Sequence, residues 1–435
     1  MISRETLREI FDHALRSVSP ESMICRDVIR SGDRLQIQGV PYSLAGFDHV
    51  HICGSGKAAA RMAVSLEALL QDRLAGGIVV TNESGYRSDG LKFLTSSHPL
   101  PTEKSLSAAE NMSNYLSRLS PNDLCIYLLS GGSSALVEKP LPPVTLAEFQ
   151  ALSSLLLKSG MRIGEMNAIR KHLSTVKGGR LGKLVPGPVI VLVISDVIGD
   201  DLEAIGSAPF HSDRSTYRDV RSILERHALW GQVPDSIRRV VEDGLAGRID
   251  ETVKAVPDRI HHYLLGSNLK FLEEAKRKAD EAGIDAHIMT SSLYGEAGEV
   301  AKVLVGLARE IRKTGNPFRP PVCLLFGGET TVTVRGSGTG GRSQQLCLSF
   351  LAESGFSAEG MLLSAGSDGI DGNSDAAGAV VDDGTIDRMN RLGLDPDSYL
   401  SRNDAYHFFR QTGDLLFTGP TGTNVMDMQI LYIGG

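Results

Sequence analysis

The sequence has few cysteines, a single tryptophan and no long apolar run. Its five cysteines are far apart and show no CxxC spacing, so we expect reduced core thiols instead of a disulfide framework or a metal cluster. No stretch of about 18 uncharged apolar residues occurs, and the charged amino terminus lacks the apolar run of a signal peptide. These absences predict a cytoplasmic protein without a membrane span.

An excess of positive charge is also lacking. The formal net charge is -7, with 45 Lys and Arg against 52 Asp and Glu. This balance gives no basic field for nucleic acid or anionic lipid, so neither partner is expected. The hydrophobic fraction of 41% is typical of a globular protein, and a length of 435 residues favours two domains over one.

Short apolar runs that end in Gly, Ser or Asp alternate with helical patterns along most of the chain. One set is HVHICGSG, GGIVVTNES, LCIYLLSGGSS and VIVLVISDVIGDD, and a second is HHYLLGSN, AHIMT, VCLLFGGET and GMLLSAGSDG. This alternation predicts two α/β domains, each with a mostly parallel sheet covered by helices. Because a helical stretch over residues 217–258 separates the two sets, we place the domains at residues 1–255 and 256–435.

Four loops of the sequence are rich in glycine and hydroxyl residues. Small residues let a backbone approach phosphate closely, and successive N–H groups can bind an anion, so these loops are candidate polyphosphate sites. The alternative is that the glycines serve tight turns. The candidate binding residues in the loops are Gly54, Ser55, Gly56, Ser130, Gly131, Gly132, Ser133, Gly340, Gly341 and Asn424.

Two cations adjoin these loops. Lys57 follows the first loop and opens a helical run, although the glycine spacing and Ala58 exclude a Walker A loop. Arg342 follows the loop 336–341, whose letters match GxGxxG and keep a dinucleotide-binding hypothesis open. Either cation could neutralise a transferring phosphoryl group, and either could instead be a solvated surface residue.

Acidic residues cluster at the ends of predicted strands. Phosphoryl transfer needs Mg²⁺, which proteins usually hold with one or two carboxylates, and a carboxylate that orients the attacking hydroxyl or accepts its proton. A turn or helix-capping role is the alternative for each acid. Asp196 and Asp200 are the candidate metal ligands. The whole cluster comprises Asp196, Asp200, Asp201, Glu329, Asp368, Asp371 and Asp375.

The segment MNAIRKHLSTVKGGRL is basic and contains Arg170, Lys171, His172 and Lys177. These side chains could hold a carboxylate or a phosphate, and Lys171 is taken as the candidate for substrate or ATP binding. A solvated basic helix face is the alternative, since a histidine there is no evidence of general-base work. His98, which precedes a proline-rich turn, could be a structural or a site residue.

Eight motifs follow one another in a recognisable order through nearly the whole chain. They are GSGKAAARMA, SHPLPTEKS, LLSGGSSAL, MNAIRKHLSTVKGGRL, SDVIGDDLEAIGSAP, GGETTVTVRGSGTGGRSQQL, GSDGIDGNSDAAGA and TGPTGTNVMDMQI. Together they resemble the class II glycerate 2-kinase family, whose C-terminal part is the MOFRL domain, here at about residues 320–430. Each motif is weak by itself, and the combination is specific.

The resemblance implies ATP-dependent phosphorylation of D-glycerate to 2-phosphoglycerate with Mg²⁺ or another divalent metal. It also implies two three-layer α/β/α domains with Rossmann-like sheets and an interdomain cleft. Carried onto matching positions, Lys57 and Arg342 would neutralise charge on the transferring phosphate. Asp200 and Asp368 would handle the metal or the hydroxyl. The partners would be the small molecules glycerate and ATP, with a homodimer as one option.

Two other functions stay open at this point. Members of the family have also been labelled hydroxypyruvate reductases, so an NAD(P)-dependent reductase is the alternative enzyme. The third reading is a non-catalytic protein that binds a sugar acid or a nucleotide.

Overall fold

The computed structural model describes residues 2–354 and 360–434, and the chain forms two compact units. We call residues 23–195 and 200–265 the N-terminal unit. The C-terminal unit comprises the described residues of 2–22, 196–199 and 266–434. Along the chain, the last change between the units falls at residue 265, since the strand Ile260–Gly266 belongs to the first sheet, and the domain boundary at residue 255 stays a prediction.

Helices and strands alternate through most of both units, as the sequence predicts. The strands are β1 (Val28–Ser31), β2 (Arg34–Ile37), β3 (Val40–Ser43), β4 (Val50–Ser55), β5 (Leu74–Thr81), β6 (Leu91–Thr95), β7 (Leu124–Leu129), β8 (Val189–Ile194), β9 (Ile260–Gly266), β10 (Ala286–Glu296), β11 (Val322–Thr331), β12 (Met361–Gly366), β13 (Gly378–Val381), β14 (Leu415–Leu416) and β15 (Asp427–Ile433). The α-helices are α1 (Arg4–Ser17), α2 (Pro20–Asp27), α3 (Ala59–Leu70), α4 (Glu103–Leu116), α5 (Ser133–Leu136), α6 (Leu146–Lys158), α7 (Ile163–His172), α8 (Arg180–Leu184), α9 (Tyr217–Arg226), α10 (Asp235–Leu245), α11 (Asn268–Glu281), α12 (Ala297–Thr314), α13 (Arg342–Glu353), α14 (Asp383–Leu392), α15 (Pro396–Ser401) and α16 (Ala405–Thr412).

The main sheet of the N-terminal unit has the strand order β6-β5-β4-β7-β8-β9. The pairs from β6 through β8 are parallel, and β7 and β8 are buried at every position, as expected for a sheet flanked by helices. Counted along the chain, the order is 3-2-1-4-5-6, which is that of dinucleotide-binding Rossmann folds. The Rossmann-like prediction is thus confirmed here. Because the order reverses between β4 and β7, a ligand site is expected at the carboxyl ends of these two strands.

The sheet of the C-terminal unit differs from the mostly parallel sheet that we expected. Its order is β10-β11-β15-β12-β13-β14, in which β10 and β11 are parallel and the other pairs are antiparallel. The physical reason is that β15 lies between β11 and β12 and runs against both. Asp427, the first residue of β15, is therefore opposite Gly328 of β11 and Gly366 of β12. The carboxyl ends of β11 and β12 and the amino end of β15 therefore lie together at one end of the sheet.

Local structure agrees with the sequence in the helical stretch 217–258 and differs from it at Cys25. Ser3 caps α1 by accepting the N–H of Thr6, and the apolar face of that helix is buried, with Phe11 against Phe271 at a ring distance of 5.7 Å. The helical stretch 217–258 contains α9 and α10, which pack with α6 and α7 around one apolar core. Cys25 is exposed, so the expectation of a core thiol is wrong there. None of the helices in the described part of the chain is long and apolar enough to cross a membrane.

Candidate functional site

The turn after β4 and the loop after β7 meet where the strand order reverses. The N–H of Lys57 donates to the carbonyl oxygen of Gly131 at 2.9 Å, and the N–H of Ala58 donates to the hydroxyl of Ser130 at 3.0 Å. Gly56 has φ +138°, and a Cβ there would lie 2.1 Å from the hydroxyl oxygen of Ser130. No side chain fits at this position, so the glycine is what lets the two loop backbones approach each other.

Two of the predicted binding residues hold this junction together from inside the protein. The hydroxyl of Ser55 is buried and lies 2.6 Å from the hydroxyl of Tyr127 and 2.5 Å from that of Ser133. A Cβ at Gly54 would lie 2.9 Å from the Cβ of Leu128 in the neighbouring strand. Ser55 and Ser133 therefore link the two loops, while Gly54 allows β4 and β7 to pack.

His98 belongs to the same junction. A Cβ at Gly132, whose φ is +83°, would lie 3.0 Å from the His98 ring and 3.3 Å from the Lys57 side chain. Burial lowers the pKa of His98, and the charge of Lys57 lowers it further. The position of His98 beside Lys57 favours a role in the site over a purely structural role, and the lowered pKa favours the neutral imidazole.

A strained turn packs against this junction from the segment after β8. Asp200 has φ +55°, and the three successive residues Gly206, Ser207 and Ala208 have φ between +56° and +61°. A Cβ at Gly206 would lie 3.2 Å from the Cβ of Ser133. Left-handed backbone at residues other than glycine costs free energy and is common at functional sites.

Lys171, predicted to bind substrate or ATP, is engaged inside the N-terminal unit. Its Nζ lies 2.7 Å from Oδ1 of Asp213, and both side chains are nearly fully buried. Lys171 also donates to the carbonyl oxygen of Glu203 at 3.3 Å. The neighbouring His172 is fully buried, with Nε2 at 2.9 Å from Glu251. These two members of the basic segment already have partners, so a solvated basic face does not describe them.

In the C-terminal unit, Arg342 is held at the first position of α13 by two acids. Its Nε and Nη2 donate to the two oxygens of Asp427 at 2.6 and 2.9 Å, and Nη1 donates to Glu329 at 2.5 Å. The pKa of Arg342 is raised, although burial opposes the shift, because both acids stabilise the cation. The side chain of Arg342 is 30% exposed, so the guanidinium is held in one orientation and is still accessible to a ligand.

Negative charge is concentrated around this arginine. Burial raises the pKa of Glu329, against the effect of Arg342, and the charges of Asp427 and Asp196 raise it further. A Cβ at Gly366 would lie 3.1 Å from Oδ1 of Asp368 and 3.3 Å from Oδ1 of Asp427. Asp368 therefore lies at the same sheet edge as the arginine and its acids. Asn424, further along the chain, accepts the N–H of Met426 and shapes the turn into β15.

Asp371 fixes the start of α13. Its carboxylate accepts the N–H groups of Ser343 and Gln344 at 3.0 and 2.8 Å, as a helix-capping acid does. Burial raises the pKa of Asp371 to about 7, against these two N–H donors. A Cβ at Gly341 would lie 2.3 Å from the same carboxylate, so this glycine is needed for the capping contact.

The loop that matches GxGxxG uses its N–H groups within the protein. Gly336 donates to Oδ1 of Asn403 at 3.0 Å, and Gly340 donates to Oδ1 of Asn373 at 2.9 Å. A Cβ at Gly336 would lie 2.2 Å from the carbonyl oxygen of Arg402. The glycines thus let the chain around Arg402 approach, and these donors are not directed at a pyrophosphate.

A groove of about 930 Å³ opens beside Arg342 within the C-terminal unit. Among the described residues, no group of three or more His, Cys, Asp and Glu side chains could by itself hold a metal ion. Mg²⁺ bound to a nucleotide needs only one or two carboxylates, so this finding is compatible with it. The groove is lined by Ile198, Tyr294, Gly295, Glu329, Thr330, Thr331, Val332, Val334, Gly338, Gly340, Gly341, Arg342, Gln345, Gly372, Asn373 and Asn403.

Asp427 is the site residue that sequence reasoning missed. It is 1% exposed, yet it carries both bonds that orient Arg342. One signal was present, because Asp427 is the single charged residue in the mostly apolar run MDMQILYI. A buried acid at the start of such a strand needs a cationic or hydrogen-bonding partner. The sequence did not identify that partner, which lies 85 positions away.

Comparison with known proteins concerns the family and the fold of the whole chain. Residues 6–242 match a family model described as a domain of unknown function, DUF4147, and residues 322–427 match the MOFRL family. The chain is 39% identical over 433 residues to the glycerate 2-kinase of Pyrococcus horikoshii, covering 99% of this chain and 97% of that protein. The crystal structure of glycerate kinase from Thermotoga maritima has the same fold, with a TM-score of 0.87 and 38% identity over 99% of each chain.

A protein of Agrobacterium vitis that is provisionally named a hydroxypyruvate reductase is 38% identical over 437 residues, which cover 99% of this chain and 95% of that one. The relatives with the glycerate 2-kinase and glycerate kinase names match over equally long stretches. The chain belongs to the glycerate 2-kinase family.

Proposed function

We propose that the protein transfers the terminal phosphoryl group of ATP to the 2-hydroxyl of D-glycerate. The observation that carries the proposal is the junction at the reversal of the first sheet. There Gly56 leaves room for backbone alone and Lys57 follows at once. The N–H groups of Gly56, Lys57 and Ala58 have partners within the protein, so the lysine side chain at the reversal is the group that suits a phosphate. The names of the relatives supply the acceptor, and D-glycerate is the acceptor named for one of them.

Lys57 and Arg342 are the proposed catalytic cations. Negative charge spreads over the transferring phosphoryl group, and a fixed cation stabilises it without reorganisation at the moment of reaction. Asp427 and Glu329 keep the Arg342 guanidinium in place before the substrate binds. Gly131 and Gly132 bring the second loop to Lys57, and we assign them to phosphate binding.

Asp368 is the proposed acceptor of the hydroxyl proton. The oxygen of the 2-hydroxyl forms a bond to phosphorus as the bond from phosphorus to the ADP oxygen breaks, and the proton of the hydroxyl passes to a carboxylate. Asp368 lies at the same sheet edge as Arg342 and Asp427.

Mg²⁺ is the proposed metal, with Asp196 and Asp200 as ligands. Among the candidate ligands, Asp196 lies near enough to Glu329 for its charge to raise the pKa of that acid, after burial and Asp427. When bound, Mg²⁺ would neutralise phosphate charge. The cytoplasmic location and a homodimer remain predictions.

The reductase alternative depends on the GxGxxG match. The N–H groups of Gly336 and Gly340 are taken up by Asn403 and Asn373, so the motif has a structural explanation. The kinase is therefore the function that the geometry favours over the reductase.

The deciding experiment measures ADP release with D-glycerate and Mg²⁺, with the product then identified as 2- or 3-phosphoglycerate. ADP release should require the acid and a divalent metal, and the product should be 2-phosphoglycerate. Oxidation of NADH by hydroxypyruvate, with ATP left unchanged, would show that the proposal is wrong. If neither ADP release nor NADH oxidation is observed, the non-catalytic binding protein is favoured.

A further inference from the structure

Arg170 differs from the other cations of the basic segment. Lys171 is paired with Asp213, and Lys177 is paired with Glu138, with all four side chains nearly fully buried. Arg170 is half-buried, and within residues 2–354 and 360–434 it forms no hydrogen bond and no ion pair. Its guanidinium therefore has donors that the protein itself does not use.

The surroundings of Arg170 lack one negative charge. The charge of Glu138 acts on Arg170, and the charge of Arg170 acts in turn on Lys177. Glu138 supplies one negative charge for both cations; one of its oxygens is paired with Lys177, and the other accepts the hydroxyl of Ser174 at 2.6 Å. Two cations and one anion leave a net charge of about +1 in a partly dry place, which an added monoanion would balance.

Helix α7, which carries Arg170, is joined to the junction described above. It packs against the turn Ile205–Ser207, in which Gly206 and Ser207 have positive φ, and a Cβ at Gly206 would lie 3.2 Å from the Cβ of Ser133 in the second loop. The chain after α7 is tied to the same turn, since the N–H of Gly178 donates to the carbonyl oxygen of Ser207 at 3.1 Å. The helix that carries Arg170 therefore contacts a turn that packs on the second site loop.

We propose that Arg170 binds the carboxylate of the hydroxy-acid acceptor, an inference that rests on the proposed function. A guanidinium presents two parallel N–H groups that match the two oxygens of a carboxylate. The net charge of the cluster fits a monoanion, whereas the terminal phosphates of ATP carry several charges. Arg170 would thereby orient the acceptor, while Lys57 and Arg342 act on the phosphoryl group.

The test compares Arg170→Gln and Arg170→Lys with the wild type in steady-state kinetics and in calorimetric titration of D-glycerate without ATP. Arg170→Gln should weaken D-glycerate binding and raise its KM by about 10- to 100-fold, the effect expected for loss of charge-assisted hydrogen bonds, with the KM for ATP within about twofold. Arg170→Lys keeps the positive charge but lacks the two parallel N–H groups of a guanidinium. Its affinity and KM for D-glycerate should therefore lie between those of the wild type and those of Arg170→Gln. Arg218→Gln, an exposed arginine on α9, is the control and should change neither value.

Two measurements keep the inference separate from folding and from the proposed function. Melting temperatures show whether the variants fold. If Arg170→Gln does not fold, Arg170→Lys replaces it in the kinetic and calorimetric comparison. Phosphorylation of D-glycerate by Arg170→Gln with unchanged KM and unchanged titration would overturn the inference while leaving the kinase intact. A raised KM for ATP, or weaker binding of inorganic phosphate with D-glycerate binding unchanged, would assign Arg170 to phosphate and also overturn it. Arg170-dependent binding of D-glycerate without ADP release would support this site and refute the kinase.

Discussion

Replacement of Asp427 by asparagine tests whether Arg342 depends on its buried partner. The carboxylate accepts from Nε and Nη2 of Arg342 at 2.6 and 2.9 Å, and its side chain is 2% exposed. Asparagine has the same shape, but its single oxygen can accept one of the two bonds and its NH₂ group faces a donor. Arg342 would keep its hydrogen bond to Glu329, at 2.5 Å, but its guanidinium would no longer be held in a single orientation.

The magnitude follows from this geometry. Removing one partner of a fully buried ion pair costs about 3–5 kcal/mol. Arg342 is 30% exposed and retains a second acid, so we expect about 2 kcal/mol, near the value of one charge-assisted hydrogen bond. Turnover should fall on the order of 10²-fold, because a misoriented cation no longer stabilises the phosphoryl group.

The chain offers a matched control for this variant. Asp414 is in the same unit, its side chain is 0% exposed, and it accepts from Arg4 at 2.6 Å and from Arg388 at 2.5 Å. Asp414→Asn should lose a comparable free energy of unfolding and keep kcat within about twofold. Urea denaturation and ADP release measure the two effects. If Asp427→Asn is destabilised like Asp414→Asn but keeps its kcat, the orienting role of Asp427 is refuted.

Three further predictions concern the remaining site residues. Asp368→Asn should lower turnover by about 10²- to 10⁴-fold with an unchanged melting temperature, and wild-type turnover across a Mg²⁺ titration would remove Asp368 from the mechanism. Gly56→Ala should abolish activity and lower the melting temperature more than Gly85→Ala, since both have positive φ but a Cβ at Gly85 meets open space; equal effects would contradict the close-approach argument. In Lys57→Met, the pKa of His98 should rise toward its ordinary value without reaching it, because burial is the larger cause of its lowering; an NMR titration with no change would disprove the contact.

Local sequence patterns were sufficient for the class of the fold. Each apolar run that ends in glycine or serine marks a strand by its own composition, and the helical periods between them need no distant residue to be recognised. The same locality explains why the loop that carries Gly56 and Lys57 was predicted, since its residues are neighbours in sequence. A Rossmann-like sheet was expected from the resemblance, whereas the order of its strands became known from the structure.

Pairings between distant residues were decided by the tertiary structure alone. The periodicity of the run MDMQILYI shows that β15 is buried, but not that it lies antiparallel between β11 and β12, which is what brings Asp427 to Arg342. The GxGxxG letters likewise describe glycines without showing which chain segment packs on them.

The tertiary structure also decided which charges of the basic segment are paired. Arg170 and Lys171 are adjacent and look alike in sequence, so the sequence could not rank them and Lys171 was the candidate. Asp213, 42 positions further on, takes up Lys171, and no described residue takes up Arg170. Which cation stays available for a ligand depends on the free energy of burying a charge with or without a partner, and that partner is placed only when the whole unit folds.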